Sequence, residues 1–218
     1  TATGAERGKV LASKEAEEAM VCGMACRFGK ARTTKRLAEL LVEGFDAIQE
    51  VPAERWDWKA AGEASRWGGF VERLAEFDAA FFSLSPREAM AMDPQHRMLL
   101  ECAWEAAENG GRDPMSLKED NGATGVYVGV AGGDYSSRLE GVSEFGSTGV
   151  TSSTAAGRIS YVLGVTGTAV SIDTACSSSL VSLVYGLKSV QRGEEAAALC
   201  FGVQALCSFG AFLSFGKA

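Results

Sequence analysis

Cys176 is the residue whose surroundings most invite chemistry. It sits in Ala169-Val170-Ser171-Ile172-Asp173-Thr174-Ala175-Cys176-Ser177-Ser178-Ser179-Leu180, where an apolar β-forming run gives way to a turn of small residues and then to a helical run. A thiol at the start of a helix meets unpaired backbone amides and the positive end of the helix dipole. Both favour thiolate over thiol, lower its pKa and activate the sulfur. The small neighbours Thr174, Ala175, Ser177, Ser178 and Ser179 leave room for an acyl chain, and amides in such a turn can help hold an oxyanion. Strand, tight turn and helix is also the layout of a nucleophile elbow. The residues by themselves leave a second reading open, in which Cys176 is one more packed thiol.

Other candidates are weaker. His96 is the single histidine, inside Met92-Asp93-Pro94-Gln95-His96-Arg97, and a structural role is expected for it, with the imidazole bonded at a helix N-terminus. Cys22, Cys26, Cys102, Cys200 and Cys207 lie in apolar runs and are expected to be buried free thiols in a reducing compartment. They have neither C-x-x-C spacing nor a histidine partner, so neither zinc nor a disulfide framework is expected. Gly129, Gly132 and Gly133 lack the Lys-Ser/Thr that a phosphate loop needs and read as a loop closing a strand.

The elements that must position these groups follow from periodicity and punctuation. Ala19 to Ala25 is apolar throughout and reads as a short strand. Leu37, Leu40 and Leu41 recur at helical spacing over Thr34 to Glu43, with Gly44 as C-cap. Phe45 to Phe82 reads as a long excursion held by its own aromatic side chains. Ser85-Pro86-Arg87-Glu88 is a capping box, Asp93-Pro94 restarts a helix, and Asn109-Gly110-Gly111 stops it, with Leu99, Cys102, Ala103 and Ala106 on one apolar face. Thr124 to Ala131, Thr168 to Ile172 and Ala196 to Val203 read as buried strands. Between the last two, Ser177 to Arg192 carries Leu180, Val181, Leu183, Val184, Leu187 and Val190 around more than half its circumference, which predicts a helix buried on several sides. Strands alternating with helices predict an α/β layered domain.

Composition narrows the class. The chain has 218 residues, 46% hydrophobic and 22% charged, as expected of a globular protein with a real core. A formal charge of −7 argues against a nucleic-acid coat or an anionic membrane as partner, and no run of 18 apolar residues suggests a membrane span. Thr1 to Glu18 lack apolar periodicity and read as a linker or leader, leaving 19–218 as the folded part. The first residue is Thr rather than Met, so targeting is not testable and a cytoplasmic location is the expectation; the chain reads as a piece of something longer.

Asp173-Thr174-Ala175-Cys176-Ser177-Ser178-Ser179 resembles the active-site signature of β-ketoacyl synthases, in particular the ketosynthase domains of modular polyketide synthases. Three further stretches agree in order: Gly23-Met24-Ala25-Cys26-Arg27-Phe28; Arg66-Trp67-Gly68-Gly69-Phe70 with Phe77-Asp78-Ala79-Ala80-Phe81-Phe82; and Ser85-Pro86-Arg87-Glu88 through Arg97. The resemblance implies the thiolase-like fold, here its N-terminal half as an incomplete α-β-α layering, and a homodimer for the complete domain. It implies that Cys176 is catalytic, taking an acyl group from the phosphopantetheine arm of an acyl carrier protein before decarboxylative Claisen condensation with a malonyl-type extender. It implies no cofactor and no metal in this segment. The family's two catalytic histidines and supporting lysine belong to the C-terminal half, and His96 stands where many relatives have Gln, so the segment alone is expected not to condense. A noncatalytic module for dimerisation or carrier-protein binding is the alternative. Phe201-Gly202-Val203, Phe28-Gly29 and Gly167-Thr168 depart from the family pattern.

Overall fold

The computed structural model describes residues 18–119, 123–139 and 144–215; the expected leader lies outside the described residues except for Glu18. The helices are α1 (Thr34–Glu43), α2 (Trp58–Ala61), α3 (Pro86–Ala91), α4 (Pro94–Asn109), α5 (Gly146–Val150), α6 (Thr154–Leu163), α7 (Ser178–Gln191) and α8 (Gly210–Phe215). The strands are β1 (Gln49–Glu50), β2 (Trp67–Gly68), β3 (Thr124–Val130), β4 (Ala169–Ile172) and β5 (Ala197–Val203).

The helix signals act locally, as expected. Thr33 accepts from the Arg36 amide at 3.2 Å, and Gly44 closes α1 at φ 63°. Ser85 accepts from the Glu88 amide at 3.1 Å, and Asp93 from that of Gln95 at 2.8 Å, each followed by a proline in the first helical turn. Such caps satisfy amides that the helix itself leaves unpaired.

β4, β3 and β5 form a parallel sheet in that order, with Val126 opposite Ala169 and Leu199. Central β3 is buried at every position, because it has strands on both edges and helices on both faces. Alternation then sorts the side chains. Val126, Val128 and Val130 join Leu99, Leu100 and Ala103 of α4 and Ala156, Ile159 and Leu163 of α6 in the main core, with Leu199, Phe201 and Val203 against it. Tyr127 and Gly129, with Ala198, Cys200 and Gly202, face α7 instead. The result is an α-β-α layering, as the sequence led one to expect.

Three expectations about the elements need correction. The residues of α7 that are buried are Ser178, Ser182, Gly186 and Ser189, whereas Leu180 is 66% and Tyr185 59% exposed. The sheet accepts the small-residue face because glycines on both sides, Gly129 and Gly202 of the sheet and Gly186 of α7, bring the backbones together. A β-carbon on Gly186 would collide with Cys200 Sγ, and one on Gly202 with Ser179. Consistently, β4 and β5 are only partly buried, in contrast to the expectation of buried strands.

Ala19 to Ala25 is not a strand either. It runs unpaired along the end of α4, with Met20 and Val21 exposed, tied by the Met24 amide to Asn109 Oδ1 at 2.9 Å and by the close pairing of Arg27 with Glu105. An apolar run alone cannot supply the hydrogen-bonding neighbour that a strand requires. Only part of the aromatic excursion packs on itself, around Val51, Trp56 and Phe70, and its end joins the main core through Phe82. Trp56 meets Phe70 edge-on at 5.4 Å, while Phe77, Phe81 and Phe82 gather around Trp104 of α4.

Candidate active site

Cys176 lies in the five-residue turn between β4 and α7, directly before the helix N-cap Ser177. It is exposed. The turn is built by short hydrogen bonds among its small residues. Asp173 Oδ1 accepts from the Ala175 amide at 2.9 Å, Ser178 Oγ accepts from the Thr174 amide at 2.9 Å, and the same hydroxyl donates to the Ala175 carbonyl at 2.6 Å. Ser177 Oγ donates to the Thr174 carbonyl at 2.8 Å. Ala175 is thereby held at φ 57°, a left-handed conformation that L-residues other than Asn and Asp seldom adopt. Strain next to a candidate nucleophile is a feature of functional turns, where surrounding bonds over-determine the backbone.

The parallel sheet puts the C-terminal ends of β3, β4 and β5 on the same edge, which is where open α/β sheets offer their sites. A polar network braces that edge. Gln95 donates to the Gly132 carbonyl at 3.3 Å after β3 and accepts from the Ala205 amide at 3.2 Å after β5. Asp134 accepts from the Cys207 amide at 3.0 Å and from the Ser208 amide. The loops that follow β3 and β5 are thus fixed to each other and to the start of α4.

His96 is 3% exposed at the third position of α4. Burial, then the nearby Arg158 charge, pushes its pKa down to about 4. Nδ1 of His96 does not make the bond expected at the helix start, being buried with no hydrogen-bond partner. The thiols also divide differently from expectation. Cys22 is exposed, Cys26, Cys102 and Cys200 are half-buried, and only Cys207 of the five is fully buried. Burial raises the pKa of Cys102 and Cys200 to about 11 and, with the Asp134 charge, that of Cys207 to about 12.

Residues 16–218 match the family model described as the N-terminal domain of β-ketoacyl synthase. The chain belongs to the β-ketoacyl synthase family. This β-ketoacyl synthase segment is 42% identical over 221 residues to a mycoketide-CoA synthase of Mycobacterium tuberculosis, covering 96% of this chain and 5% of that protein. It is 46% identical over 209 residues to polyketide synthase GfsA of Streptomyces halstedii, covering 93% of this chain and 3% of that protein. Among solved structures, the ketosynthase from module 6 of the bacillaene synthase of Bacillus subtilis superposes with a TM-score of 0.81 at 32% identity, covering 89% of this chain and 33% of that one. The fold is the N-terminal part of a thiolase-like domain, and the segment spans about a third of that ketosynthase chain and a few per cent of the curated synthases.

From the sequence, Ser178 reads only as a small neighbour of the thiol and Gly129 only as part of a loop closing a strand; in the structure Ser178 joins Thr174 to Ala175 and the start of α7 rests against Gly129. The signal for Ser178 is present in the repeat Ser178, Ser182, Gly186, Ser189, a small-residue face at helical spacing.

Proposed function

We propose that Cys176 is the acyl-accepting nucleophile of a β-ketoacyl synthase in polyketide or fatty acid biosynthesis. Its thiolate attacks the carbonyl of an acyl thioester on the phosphopantetheine arm of an acyl carrier protein; the carbon–sulfur bond to Cys176 forms and the carrier thiol leaves. A malonyl-type extender then loses carbon dioxide, and the resulting carbanion attacks the Cys176 thioester, forming the carbon–carbon bond and releasing the thiolate. The carrying observation is the exposed Cys176 at the end of a strained turn, immediately ahead of α7. The complete domain works as a homodimer in the cytoplasm, a reading consistent with relatives that are polyketide synthases. No described helix is long and apolar enough to cross a membrane.

The segment by itself accepts acyl groups weakly and does not condense. Its one histidine, His96, is buried in α4, so no imidazole is available to support decarboxylation or the enolate. Incubation with an acyl-phosphopantetheine thioester should add the acyl mass to the Cys176 peptide, and Cys176→Ala should abolish it. Acylation at another cysteine would refute the nucleophile. Steady carbon dioxide release from malonyl carrier protein, lost in Cys176→Ala, would refute the inactivity of the segment.

A further inference from the structure

A recess of about 370 Å³ opens beside the start of α4, lined by Arg55, Arg73, Arg97 and Arg138 together with Tyr135 and Met90. No residue of the Cys176 turn takes part in it. Four guanidinium groups on one concavity are unexpected in a chain of net charge −7. Two carboxylates, Glu54 and Glu76, share the wall, and Glu76 is already paired with Arg73.

The other three cations have no carboxylate in direct contact, although Glu54 and Asp134 lie near enough to Arg55, and Asp93 and Glu101 to Arg97, to favour their charged forms. Arg55, Arg97 and Arg138 make no ion pair among the described residues. Arg55 donates to the Leu206 carbonyl at 2.9 Å and to that of Val71, which orient the group without cancelling its charge. Arg97 lies 5.9 Å from the centre of the Tyr135 ring, and its buried Nε finds no acceptor. Burial accordingly lowers the pKa of both Arg55 and Arg97. A desolvated cation is costly unless an anion joins it. Guanidinium forks match the oxygens of phosphate, often two at a time.

Size and lining narrow the ligand. Small-molecule sites occupy roughly 300–1,000 Å³, so the recess is larger than a bare anion needs. Met90, Leu74 and Pro94 give it an apolar wall for a carbon body. The geometry points to a binding site for a small phosphate ester, its phosphoryl oxygens gripped by Arg97 and Arg138 and its organic part laid on Met90 and Leu74.

Arginine modification by phenylglyoxal, read by peptide mass spectrometry on the whole chain, tests this with phenyl phosphate as probe. At ten times its dissociation constant, phenyl phosphate should slow modification of exposed Arg138 about tenfold by mass action, leaving surface Arg36 and Arg87 unchanged. Inorganic phosphate should protect less. Arg97→Lys, which keeps the charge but loses the fork, should weaken protection at Arg138 several-fold. Protection no greater than that given by sodium chloride of equal ionic strength, or equal slowing at all three arginines, would overturn the site. So would protection by an acidic peptide but not by phenyl phosphate, which would assign the recess to a protein partner instead.

Discussion

Gly129 of β3 lies against the main chain of Ser178, so closely that a β-carbon on it would come 2.5 Å from the Ser178 carbonyl. That contact sets how near the first turn of α7 stands to the sheet. Ser178 in turn bonds to Thr174 and Ala175, which flank the thiol. A glycine in a central strand thus acts on a cysteine three elements away, through the height of one helix.

Gly129→Ala should therefore push the start of α7 outward and disturb the turn. Overpacking of this kind costs about 1–3 kcal/mol, and the labelling rate of Cys176 should change with it. Gly157→Ala is the control, since a β-carbon there meets nothing within 4 Å and a helix interior gains roughly 0.5–1 kcal/mol from the exchange. Urea midpoints for both variants would check the pair; equal effects would refute the close-approach argument.

Limited iodoacetamide should modify Cys176 ahead of the buried and half-buried thiols. At pH 8, groups with pKa near 11 or 12, such as Cys102, Cys200 and Cys207, hold about a thousandth or less of their population as thiolate. Cys22 is the exposed competitor, and the helix start ahead of which Cys176 lies should decide between them. Peptide mass spectrometry locates the label. Preference for Cys22 or Cys207 in folded protein would count against the site.

His96 should make the fold acid-sensitive. Its pKa is about 4 in the folded state against 6.5 ordinarily, so between those values the unfolded chain takes up a proton that the folded chain refuses. Stability is fully present above pH 6.5 and declines as pH falls towards 4, by about 3 kcal/mol in all for a shift of this size. His96→Gln removes the titration, and its urea midpoint should fall less between pH 7.5 and pH 4.5 than that of the parent. Parallel curves would refute the assignment.

The outer face of α7 should drive association of the isolated segment. Leu180, Leu183, Val184 and Tyr185 are all exposed there, and contiguous apolar surface of this kind marks interaction or aggregation sites. Light scattering should show species larger than the 22.9 kDa monomer, and Leu180→Lys with Val184→Glu should reduce them. A monodisperse monomer with cooperative unfolding in the parent would refute this.

The sequence by itself determined the features that depend on neighbours a few residues apart. Ser85 and Asp93 cap helices, Gly44 ends one, and Ile172 to Ser178 turns from strand into helix around Cys176, because each needs only local backbone geometry and short-range hydrogen bonds. The family motif around Cys176 was legible for the same reason. What the tertiary structure decided is which surfaces meet. Apolar content predicted that the leucines of α7 would be buried, yet the glycines of β3 and β5 admit the serine and glycine face, since closeness of approach there counts for more than hydrophobicity. Ala19 to Ala25 has a strand's composition and no strand beside it. Arg55, Arg97 and Arg138 are scattered over more than eighty positions, and only the folding of three separate segments onto one recess brings their charges together.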